Sequence, residues 1–222
     1  MPGAILAPVS RRVDTLPALA MRSILDVGNL SVLLGLVTLG ISCCVPSWSA
    51  ARVARVENRA LEVAEEVLAL VRRDGIDPLH DPARRDAWLA TLRAGCEHRD
   101  QPLGDLPDFE RGAPEANPTL GNRHYLFRVL ARPTANDSAA PNDGAQVLEV
   151  FAWPRNLLPP GRSVFCLGED GHRAFTRNLI ASFAGLDAPP PPGAALPRTD
   201  EVDPETGSYR SADDERWLLL DP

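Results

Sequence analysis

The stretch NLSVLLGLVTLGISCCVPSW (residues 29–48), continued by SAARVARVENRALEVAEEVLALVRR (residues 49–73), decides how the rest of the chain is read. Between Asp26 and Arg52 lie 25 residues without a charge, enough to cross a bilayer core of roughly 30 Å at about 1.5 Å per residue. A transmembrane helix over residues 24–49 is therefore expected. Past Ala51 the composition turns charged but stays periodic. Val53, Val56, Ala60, Val63, Val67 and Leu70 recur at alternating spacings of three and four, one stripe of an amphipathic helix over residues 50–74. Pro46 is expected to kink the helix at the membrane surface, since it removes one backbone bond. Trp48 beside it suits the aromatic belt of the interface.

Toward the N-terminus, residues 1–23 contain Pro2, Pro8, Pro17, Arg11, Arg12 and Arg22 with little periodicity. They read as a flexible, mildly basic leader on the cytoplasmic side, which places the rest of the chain beyond an inner-membrane, single-pass anchor. A second reading takes the apolar run as a secretory signal cleaved near Ser49 to Ala51, releasing a secreted or periplasmic binding domain. A third keeps the chain as a monomeric membrane-tethered domain.

Toward the C-terminus, Gly75 and Pro78 stop the long helix. Asp81 and Pro82 start a second, shorter one running to Ala94 and closed by Gly95. Its expected apolar face is Ala83, Ala87, Leu89 or Ala90, and Leu92, with Trp88 half exposed. Residues 97–122 are polar and rich in Pro and Gly, hence a long loop. The period then changes to two. Tyr125, Phe127, Val129 and Ala131 alternate with Leu126, Arg128, Leu130 and Arg132, and Val147, Glu149, Phe151 and Trp153 alternate with Leu148, Val150 and Ala152. Residues 163–167 and 173–177 are shorter runs joined by a turn ending in Asp170 and Gly171. The expected fold is α+β: a long transmembrane-to-amphipathic helix, a short second helix and an antiparallel sheet of three to four strands, with the head over residues 75–187. Residues 188–222, opening on consecutive prolines and turning acidic, read as a disordered or loosely docked tail that only Trp217 to Leu220 are apolar enough to anchor.

The chemistry is sparse. A formal charge of −7 argues against nucleic-acid binding, which needs a basic face to meet phosphates; every Lys or Arg position is an arginine. Cys96 and Cys166 are either a disulfide, if the head is extracytoplasmic, or two buried thiols. With His98 and His172 they make a loose zinc set of unsuitable spacing. Asp200, Asp203, Glu205, Asp213 and Asp214 supply the oxygen donors calcium prefers, without a recognised loop order. His80, His98, His124, His172, Ser163 and Ser182 form no familiar nucleophile–base spacing, so no catalytic or cofactor-binding residues are expected.

The run CVPSWSAARVARVENRALEVAEEV resembles the N-terminal helix of type IV pilins and type II secretion pseudopilins, through Val45, Pro46, Ser47 and Trp48, then Arg55, Glu57, Ala60 and Leu61. The order VLEVFAWP, GRSVFCL, EDG is similar to the heads of the same proteins. The resemblance implies processing between Gly28 and Asn29, although Leu33 stands where the family carries an acidic residue. It also implies a membrane-anchored pilin-like structural subunit of a secretion or filament apparatus, with the N-terminal helix as its contact to copies or partners. Gly35 and Gly40 permit close helix approach.

Overall fold

A computed structural model describes residues 16–97, 106–113, 117–133, 146–157, 162–198, 202–212 and 214–220; the side chains of residues 16–29, 33 and 36–48 are outside that description. The chain divides into two units, Met1–Ser49 and Ala50–Pro222. Helix α1 is Leu16–Asp74. It ends where Gly75 takes φ +74° and donates its N–H to the Val71 carbonyl, a left-handed cap that a residue with a side chain adopts only at a cost. Helices α2 (Asp77–His80) and α3 (Pro82–Glu97) follow.

Eight strands complete the head: β1 Asp108–Phe109, β2 Thr119–Gly121, β3 Tyr125–Pro133, β4 Gln146–Pro154, β5 Val164–Gly168, β6 Arg173–Thr176, β7 Ser208–Arg210 and β8 Arg216–Leu219. They form one antiparallel sheet in the order β1-β2-β3-β4-β5-β6-β8-β7. The period-two pattern sorts its side chains onto two covered faces. Tyr125, Phe127, Val150, Ala152, Phe165 and Leu167 pack against α1 and α3, where Ala60, Val63, Ala64, Val67, Leu89 and Leu92 meet them. Leu126, Phe151, Trp153, Val164 and Cys166 face the other way, under Phe183, Ala194 and Ala195 and alongside Tyr209 and Trp217 of the terminal hairpin. With both faces covered, β5 is buried at every residue.

Several expectations are corrected. The sheet has eight strands rather than three to four, so a pilin-like long helix with a small sheet does not describe it. Four of the extra strands come from segments read as irregular. Asp108–Phe109 pairs as the edge strand, and Thr119–Gly121, too short to show a period and buried throughout, pairs between it and β3. Residues 208–210 and 216–219 are recruited from the supposed tail, because Trp217 is fully buried beside β6. Among the described residues, no helix is long and apolar enough to cross a membrane. Beyond Ala51, α1 carries Arg52, Arg55, Glu57 and Arg59, and its apolar residues make a single face. The transmembrane segment over 24–49 and the single-pass inner-membrane placement are therefore not supported. On α3, Trp88 is buried with Leu89, Leu92 and Cys96, whereas Ala83, Ala87 and Ala90 are exposed. The stripe is rotated because the bulky indole joins the core cluster shared with α1 and the sheet. The leader residues 1–15 lie outside the described residues.

Candidate functional site

The densest group of chemically capable side chains lies on the sheet face away from α1. Arg132 on β3 and Glu149 on β4 are diagonal neighbours on one face of the sheet, and both are buried. The Arg132 guanidinium donates to Glu149 and to Asp170 in the β5–β6 turn. The second Glu149 oxygen accepts the Gly193 N–H at 2.9 Å. Nearby, the Tyr209 hydroxyl donates to the Ala195 carbonyl, and His172 Nε2 lies 3.0 Å from that same oxygen and 3.1 Å from the hydroxyl. Glu149, Tyr209 and His172 each reach the strap of residues 193–195, so the network fastens that strap over the sheet. A charged pair buried this deeply needs all its partners, since removing one strands the other in low dielectric.

The same surroundings disarm the nearest nucleophile. Cys166 is fully enclosed, and its thiol is pushed well up, first by burial and then by the Glu149 charge. A thiol held protonated is neither a nucleophile nor a metal ligand. Tyr209 is likewise raised by burial, Cys166 and Glu149, which keeps its hydroxyl protonated as the donor to the Ala195 carbonyl.

A second carboxylate, Glu215, is buried between β8 and the loop after β6. It accepts from the Thr176 hydroxyl at 2.6 Å and from the N–H groups of Leu179, Ile180 and Ala181. Burial alone would raise its carboxyl; the Thr176 hydroxyl and those three N–H groups outweigh it and hold the group below its ordinary value. The loop it fixes has Asn178 and Ser182 at positive φ.

The residues singled out from the sequence are scattered. Cys96 and Cys166 are not joined as a disulfide; Cys96 belongs to the core under α3, and Cys166 to the core on the opposite face of the sheet. His98 lies outside the described residues, and among the described ones no group of three or more His, Cys, Asp or Glu is placed to hold a metal ion. Of the acidic set, Asp203 accepts from Glu205 N and the Thr206 hydroxyl, and Asp214 pairs with Arg198 at 3.2 Å; Asp200 and Asp213 lie outside the described residues. Gly28, Asn29, Pro46 and Trp48 fall within α1 by backbone, and their side chains are outside the description.

The buried polar network was visible only as an irregularity in the alternation. Glu149 shares a face with Phe151 and Trp153, and Arg128 and Arg132 share one with Leu126 and Leu130. Charges on an inward-facing register position are the signal that a strand buries an ion pair. Arg128, lowered by burial, donates to the Thr119 hydroxyl at 2.8 Å and lies over the Trp153 ring.

In the first unit, three described apolar side chains stand out. Leu30, Val32 and Leu34 are 64%, 63% and 67% exposed. No family model, curated protein or solved structure matches this chain.

Proposed function

We propose that this chain is a structural subunit whose α1 segment before Ser49 associates with equivalent helices of other copies or of partner proteins. The observation that carries this reading is the exposure of Leu30, Val32 and Leu34. Leu30 and Leu34, four residues apart, share one face of the helix, while Val32 lies roughly opposite at about 100° per residue. Apolar side chains on opposite faces call for company on more than one side, which a helix bundle supplies. The resemblance of residues 45–61 to the associating helix of pilins and pseudopilins supports the same role for α1, although the eight-stranded head does not share in it. The head supports a non-catalytic role, since its most enclosed polar groups are spent on holding the strap and the terminal hairpin.

Sedimentation equilibrium of the full chain tests this. The expected mass is a multiple of 24.0 kDa, reduced by Leu30→Gln, Val32→Gln and Leu34→Gln together while the thermal unfolding of the head is unchanged. A monomeric wild-type chain overturns the reading.

A further inference from the structure

We infer that the β7–β8 hairpin carries a binding site for an oxyanion offering at least two acceptor oxygens, a phosphate or a polycarboxylate. Arg210 and Arg216 are direct cross-strand partners. Like charges so placed repel across a ladder, and a sequence tolerates that conflict where something outside the fold relieves it. Elsewhere the head pairs several of its arginines with carboxylates: Arg132 with Glu149, Arg155 with Glu110, Arg173 with Glu65, Arg177 with Glu57.

Among the described residues, Arg210 has no side-chain partner, and Arg216 donates only to the Ser208 hydroxyl at 3.0 Å. Both are exposed. They line a groove of about 620 Å³ with Ser208, Val202 and Pro204, within the usual size range of small-ligand sites. Asp203 also borders it; the Thr206 and Glu205 groups of its own turn occupy the carboxylate and hold it below its ordinary value, with a smaller share from the Arg216 charge, which leaves Arg210 as the unmatched guanidinium of the pair. Two guanidiniums side by side, with a hydroxyl between them and the strand, present several N–H donors in forks that match phosphate or carboxylate oxygens. This site is independent of α1 and of the association proposed for it.

Calorimetric titration of the full chain with pyrophosphate, and separately with citrate, tests the inference. Saturable one-site binding of at least one probe is expected, weakened about tenfold or more by Arg210→Gln and by Arg216→Gln and unchanged by Arg84→Gln on α3. Tighter pyrophosphate points to phosphate ligands and tighter citrate to carboxylates. Equal affinity in wild type and in the two hairpin variants, all with unaltered melting temperatures, overturns the site, as does the absence of saturable binding for both probes.

Discussion

Glu57 and Arg177, 120 residues apart in the chain, face each other at 3.1 Å. Eight residues further along α1, Glu65 meets Arg173, four residues back along β6. Eight residues of helix rise about 12 Å and four residues of strand about 13 Å, so the two pairs stay in step only because α1 and β6 run antiparallel. Arg72 continues the series, donating to the carbonyls of Gly168 and Glu169 in the turn before β6. The apolar stripe of α1 dictates which face meets the sheet. The charged ladder beside it sets how far along the helix sits.

Glu57 is the most connected rung, so its loss should cost most. One of its oxygens accepts from the Ser163 hydroxyl at 2.8 Å and from Ser163 N–H at 3.2 Å, besides the Arg177 guanidinium. Glu57→Ala should destabilise the head by about 1–3 kcal/mol, the range for a buried charge-assisted network. Arg177→Ala should cost under about 1 kcal/mol, because that side chain is largely solvated. Urea denaturation of the two variants checks the order; equal losses would mean the arginine carries the interaction.

The Glu215 clamp makes stability depend on acid. Its carboxyl is lowered in the folded state, so its contribution is complete above the unfolded glutamate value and is lost as pH falls through the folded one. Glu215→Gln should lower stability at neutral pH by about 1–3 kcal/mol and flatten the decline of the urea midpoint between pH 5 and pH 3, roughly the carboxylate range. A variant that keeps the wild-type slope would assign the acid dependence to other carboxylates.

The long strands were legible because each is a near-continuous apolar run bounded by turn and loop residues, the pattern of a strand covered on both faces. Tyr125 to Arg132 and Val147 to Trp153 alternate without interruption, and they pair residue for residue as β3 and β4. The partners that complete the sheet were not legible. Ser208–Arg210 is too short to show a period, and Trp217 appears in sequence as one apolar island in an acidic tail. What makes it a strand is the space beside Ala174 and Thr176 on β6, a tertiary fact. The polar sites were hidden for the same reason: Glu149 meets Gly193 and Glu215 meets Ile180 only after the chain has crossed the sheet.

Burial of both head thiols gives a chemical prediction. Cys96 and Cys166 are fully enclosed, and burial pushes the Cys166 thiol up, so neither should react with iodoacetamide in the folded protein at pH 8. In urea both should be alkylated without prior reduction. Mass mapping of the two peptides checks this; a need for reductant before labelling would show a disulfide and contradict their placement on opposite faces of the sheet.

Trp217 holds the terminal hairpin, and the form of its loss can be specified. It is fully buried among Ala174, Tyr209 and their neighbours, yet its indole N–H has no hydrogen-bond partner among the described residues. Truncation to alanine removes the contact area and leaves a cavity, costing about 3–5 kcal/mol. Trp217→Phe keeps most of the packing and removes a polar group that was already unsatisfied, so it should cost much less. Among the described strands the hairpin joins the sheet through β6 alone, so local release should precede global unfolding. Trypsin should then cut Trp217→Ala early at Arg198, Arg210 and Arg216 while Arg128, buried in β3, stays protected. Simultaneous cleavage at all these sites would mean that β7 and β8 belong to the same cooperative unit as β3 and β4.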